Sequence, residues 1–138
     1  MKRKEPKYLH NQVMLVDDSE LDNFINEKII ESSCFAKKVY VNTGSKSALE
    51  FLKNLCITGE NPTAIFPKVI FIDLNMPIID GFQFIHFLME TKNEYISKCK
   101  LVILTSSVHP EDRKKAAAIS NSITFLNKPL TEQLLKSI

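Results

Sequence analysis

Apolar positions along the chain fall into two alternating patterns. Short runs of four or five mostly apolar residues, each with three or four apolar positions, occur at Gln12 to Val16, Lys38 to Val41, Val69 to Ile72, Leu101 to Leu104 and Ile123 to Leu126. Runs of this length, bounded by polar or turn-forming residues, predict strands, and the unbroken "VIFI" and "LVIL" predict strands covered on both faces. Between them apolar residues return at three-four spacing: Leu21, Phe24, Ile25 and Ile29 with Lys28, then Ala48, Leu49, Leu52, Leu55 and Cys56, then Phe84, Ile85, Leu88 and Met89. Each set predicts a helix laying one stripe on the strands. A fourth helix is expected from His109-Pro110, with proline in its first turn and Glu111 and Asp112 at its positive end. Its stop is expected near Asn121, a residue that tolerates the left-handed conformation. A short last helix spans Thr131 to Ile138. The stretch Ile57 to Pro67 has no period and reads as a surface loop.

Five strand and helix pairs in alternation specify an α/β protein, a doubly wound parallel sheet covered by helices on both sides. The 138 residues suffice for one domain. Its expected extent is 11–138, behind a flexible basic tail at 1–10. Apolar residues make up 44% and charged residues 25%, which argues against disorder and against a membrane protein. The net charge of +2 is too small to mark a nucleic-acid surface. No apolar run suits a signal peptide or a membrane span, so a cytoplasmic protein is expected. Three cysteines, Cys34, Cys56 and Cys99, have neither zinc spacing nor an even count, and predict free thiols.

The chemistry gathers where strands end. Parallel strands all point one way, so Asp17 and Asp18 after the first strand and Asp73 after the third reach the same sheet edge. If the chain order reverses between those strands, the three acids meet in the crevice where open α/β sheets bind ligands. Carboxylates so close repel unless a cation joins them, and an all-oxygen ligand set suits a hard ion such as Mg2+. Thr105, Ser106 and Ser107 follow the fourth strand, and Lys128 and Pro129 the fifth. Together they offer hydroxyls and an ammonium for the outer oxygens of a phosphoryl group. Asp73, alone on its strand, is the natural nucleophile for phosphorus, leaving the doublet for the metal. Plainer roles compete at each position. Asp18 or Ser19 would cap the first helix, Thr105 or Ser106 the fourth; Lys128 would be solvated and Phe125 would be core.

"VDD", "FIDLNMPIIDG", "ILTSS" and "FLNKPL", in this order and spacing, resemble the receiver domain of two-component response regulators over nearly the whole chain from Asn11. The resemblance implies a flavodoxin-like (βα)5 fold with strand order 2-1-3-4-5 and a cis Lys128-Pro129 bond. It implies Asp73 as phosphoacceptor and Asp17 and Asp18 as the Mg2+ pair, with the backbone carbonyl of Asn75 as a further ligand. Lys128, Thr105 and Ser106 would bind the phosphoryl group, and Phe125 would be the aromatic that turns inward with Thr105. Asn75 and Ser107 would tune dephosphorylation. The expected partners are a histidine kinase or phosphotransfer protein and a downstream protein, with no nucleic acid and no membrane. The chain would then be a phosphoacceptor switch and no turnover enzyme. Two alternatives stay open: a Mg2+-dependent aspartyl-phosphate hydrolase, for which Asn75 replaces the usual second acid, and a receiver that never accepts phosphate. A flavodoxin-like cofactor carrier fits poorly, because "DDSELD" would repel the cofactor's phosphate.

Overall fold

The computed structural model describes residues 6–57 and 61–138. Five parallel strands, β1 (His10–Val16), β2 (Ala36–Asn42), β3 (Val69–Ile72), β4 (Lys100–Thr105) and β5 (Thr124–Asn127), form one sheet in the order β2-β1-β3-β4-β5. The expected strands are all present, β1 and β4 longer by two residues and β2 by three, with β5 shifted by one. β1 begins at His10, inside the stretch expected as a tail, and Leu9 N–H already donates to Cys34 O at 3.0 Å. The remainder of that expectation, residues 1–5, lies outside the described residues.

Alternation along each strand divides the core in two. On β1, Met14 and Val16 face one cluster, with Ala48, Leu52, Phe84, Ile85 and Ala116; Val13 and Leu15 face the other, with Ile30 and Leu135. The first cluster is roofed by α2 (Ser45–Ile57), α4 (Gly81–Glu90) and α6 (Pro110–Ile119), the second by α1 (Glu20–Ser32) and α7 (Glu132–Lys136). The spacings in α2 and α4 mark the buried faces correctly, apart from Met89, which is exposed. The last helix is shorter than expected, starting behind the cap residue Thr131.

Three expectations are corrected. The stripe on α1 points to water apart from Ile29, which packs against the second cluster: Leu21 is 67% and Phe24 59% exposed, whereas Asn23, Asn26 and Ile30 are buried. The helix is turned by polar contacts at its start, where Asn23 Nδ2 donates to Asp17 O at 2.8 Å. The loop expected over Ile57 to Pro67 contains a single-turn helix, α3 (Pro62–Ile65), capped by Asn61 and followed by buried Phe66; Thr58, Gly59 and Glu60 lie outside the described residues. Finally, α6 stops without a left-handed residue at Asn121, because Ser120 is extended and its N–H bonds Ala116 O. A further short helix, α5 (Glu94–Ser97), precedes β4.

Candidate functional site

Strand register assembles the site. β1 and β3 are neighbours with Val16 opposite Ile72, so Asp17 and Asp73 emerge side by side, and Asp73 N–H donates to Val16 O at 3.0 Å. β4 and β5 pair with Thr105 opposite Asn127, and Lys128 N–H donates to Thr105 O at 2.9 Å, which brings the lysine to the same edge. The Lys128–Pro129 peptide is cis.

Oxygens of Asp17, Asp18 and Asp73 all lie within 4.8 Å of one another. Asp17 and Asp73 are buried and Asp18 is exposed, so the cluster opens to solvent through Asp18. At such separations each pair of like charges repels by roughly 3–4 kcal/mol at an effective dielectric of ~20. Lys128 Nζ offsets part of this: it stands 2.7 Å from Asp17 Oδ2, 2.8 Å from Asp22 Oδ2 and 3.7 Å from Asp73 Oδ1. Three carboxylates therefore face one ammonium, and Asp18 adds a fourth to the acidic corner. Asp73 Oδ1 is buried and has no hydrogen-bond partner. Burial and the Asp17 carboxylate push the Asp73 carboxyl above its ordinary value, against Lys128, the Asn75 amide and the Thr105 hydroxyl, which pull it down. Burial alone would lower the Lys128 pKa, but hydrogen bonds to Asp17 and Asp22 outweigh it, and the ammonium is held charged.

The remaining positions frame this centre. Ser19, not Asp18, caps α1: its Oγ accepts from Asp22 N–H at 3.2 Å, while Asp17 Oδ1 accepts from Ser19 N–H at 2.9 Å. Thr105 is fully buried and its Oγ1 accepts from Ser107 N–H at 3.2 Å. Ser106 is exposed, and Ser107 donates its hydroxyl to Asp112 on α6. Asn75, two residues after Asp73, is exposed. Phe125 is half-buried, with the Arg113 guanidinium 4.7 Å from its ring centre. Asp80 caps α4 in a capping box with Gln83 and takes no part in the centre. Asp22 was not singled out by sequence reasoning. The available signal was its place one helical turn beyond the doublet, in the first turn of α1.

The family description "Response regulator receiver domain" matches residues 13–138. The chain belongs to the response regulator receiver family. Among curated relatives, this receiver is 30% identical over 101 residues to Response regulator Rcp1 from Synechocystis sp., a match covering 72% of the chain and 64% of Rcp1. Among solved structures, a two-component response regulator from Cytophaga hutchinsonii is 30% identical, with a TM-score of 0.81 over 96% of this chain and 94% of that one. The Mn(2+)-bound form of Rcp1 shares the fold at 23% identity and a TM-score of 0.69, over 92% and 88% of the two chains. The receiver is thus part of two-component signalling. Among the described residues no helix is long and apolar enough to cross a membrane.

Proposed function

We propose that the receiver is a phosphoacceptor switch in which Asp73 takes a phosphoryl group from the phosphohistidine of a histidine kinase or phosphotransfer protein. The observation that carries this reading is Asp73 Oδ1, a buried carboxylate oxygen without a hydrogen-bond partner, beside both an acidic cluster and an ammonium. An oxygen so placed keeps its lone pairs for an electrophile.

The donor set fits Mg2+: three carboxylates with oxygens close enough to share one ion, all hard ligands, and one exposed to solvent. Asp17, Asp18 and Asp73 would hold it, with the Asn75 carbonyl alongside. When bound, Mg2+ supplies the positive charge that lets a phosphoryl group approach the acids. Asp73 Oδ1 attacks phosphorus in line, the phosphorus–nitrogen bond of the donor breaks, and its electron pair stays on the departing imidazole. Lys128 neutralises the phosphoryl oxygens, and Thr105 and Ser106 offer hydroxyls to them. For Thr105 this means leaving its contact with Ser107 N–H, a movement that frees space beside Phe125 and alters the surface that a downstream protein reads. Asn75 and Ser107 would set the access of water to the acyl phosphate, and position 75 offers no acid for rapid turnover. No nucleic-acid or membrane partner is needed, and a cytoplasmic place suits a kinase-fed switch.

Intact mass spectrometry after incubation with Mg2+ and acetyl phosphate tests the reading. Wild type gains one phosphoryl mass; Asp73→Ala gains none, and chelation of the metal stops the gain in wild type. Equal labelling of wild type and Asp73→Ala overturns the assignment.

A further inference from the structure

We propose that Asp22 is a positioning residue for Lys128, a tether on α1 that holds the ammonium off the acceptor oxygen. The proposal rests on the phosphoacceptor reading for its consequence, but its evidence is geometric.

Lys128 Nζ sits on two carboxylates, Asp17 at 2.7 Å and Asp22 at 2.8 Å, and stops 3.7 Å short of Asp73 Oδ1. Of these three partners, Asp17 and Asp73 belong to the cluster that could share a cation; Asp22 does not. Asp22 is therefore the lysine's one carboxylate with no competing claim on it. The first turn of α1 is fixed to the end of β1 by Ser19 Oγ accepting from Asp22 N–H and by Asn23 Nδ2 donating to Asp17 O. The anchor is thus built into the same corner as the metal cluster and does not depend on a loop.

The effect of the tether follows from what the lysine would do without it. An ammonium on a flexible four-carbon stem has three donors to place. With Asp22 gone, the carboxylates left within reach are Asp17 and Asp73, and the hydrogen bond missing at Asp73 Oδ1 would form. The ammonium would then mask the nucleophile's lone pair and occupy charge that a divalent ion needs. With Asp22 present, the lysine stays charged and close, yet the acceptor oxygen stays bare.

Wild-type chain, Asp22→Asn, Asp22→Glu and Glu20→Gln test this. Glu20→Gln removes the same charge from the same turn without touching Lys128. Binding of Mg2+ alone is followed by amide NMR, and the side-chain carboxyl carbon of Asp73 is observed in metal-free protein. Asp22→Asn weakens Mg2+ binding about fivefold, the size expected for one partly exposed ion contact, and shifts the Asp73 carboxyl resonance. Asp22→Glu returns both towards wild type, and Glu20→Gln moves neither. Retained dispersion of the amide spectrum shows that each variant is folded. If Asp22→Asn binds Mg2+ as Glu20→Gln does, or leaves the Asp73 resonance in place, the tether is wrong. No phosphodonor enters either measurement, so failure of wild type to accept a phosphoryl group would sink the proposed function separately.

Discussion

Gly81 opens α4 directly beneath the end of β3. A Cβ there would press on the Asp73 carbonyl oxygen and lie 2.8 Å from Leu74 Cα, both of them backbone atoms that cannot turn aside. Gly81→Ala should cost roughly 2 kcal/mol, typical of overpacking at a rigid contact, and should slow the proposed phosphorylation because Asp73 itself must shift; urea unfolding and mass labelling check the two effects. Ile78, three residues earlier, has a φ of 69° and is 97% exposed. A β-branched side chain is strained in this conformation and here buries nothing in return. Ile78→Asn should therefore raise stability by about 0.5–1 kcal/mol, read from the urea midpoint. The raised pKa of Asp73 has a defined sign. The native state binds that proton more tightly than the unfolded chain, so the group's contribution to stability is complete below 3.8 and is lost as pH rises through the raised value. Metal-free Asp73→Asn should melt higher than wild type at pH 7, with the difference vanishing below pH 3.8. The acids at strand ends and Lys128 were legible in the sequence because a parallel sheet delivers such residues to one edge whatever the details. Asp22 was not, since its role depends on how far α1 is turned about its axis.

That rotation is the main lesson at the scale of elements. The spacing of Leu21, Phe24 and Ile25 is that of a helix, and the helix is there, but the apolar stripe is its outer face. Local hydrogen bonds from Asn23, together with the reach of Asp22 to Lys128, set an orientation opposite to the one that burial alone would choose. Phe24→Ser should accordingly change stability by less than about 0.5 kcal/mol, as surface substitutions do, while Ile30→Ala should cost about 2–5 kcal/mol. Denaturant melts of the two variants decide which face is buried. In α2 the polar contact at the start, the Ser45 hydroxyl donating to Ile79 O at 3.0 Å, lies on the same buried face as Ala48 and Leu52, and in α2 and α4 the spacing picked out the packed side chains. Single-turn helices such as α3 and α5 have too few residues to show a period, and their caps, Asn61 and Asn93, are the only sequence sign of them. α6 stops close to Asn121 as expected, but by another route: Ser120 ends it in an extended conformation that no residue type announces, and Asn121 is not left-handed.

At the scale of the molecule, the fold keeps two buried acids and an exposed one together at some cost in repulsion. A divalent ion that binds the folded form only should return that cost. At a Mg2+ concentration about one hundred times its Kd, unfolding free energy should rise by about 2.7 kcal/mol. Asp18→Asn, at the exposed mouth of the cluster, should reduce the gain without unfolding the chain; thermal melts with and without Mg2+ measure both. The strand order was expected through the family resemblance, whereas the alternation that makes it possible is visible in the bare sequence. The ion pair between Asp17 and Lys128 joins residues 111 positions apart. On the ribosome, the acidic half of the pocket is synthesised long before Lys128. A nascent chain that has released β1 to β4 from the exit tunnel, but not β5, holds the clustered carboxylates without the lysine that offsets them, so the charge balance of the pocket waits on a residue 111 positions downstream of Asp17.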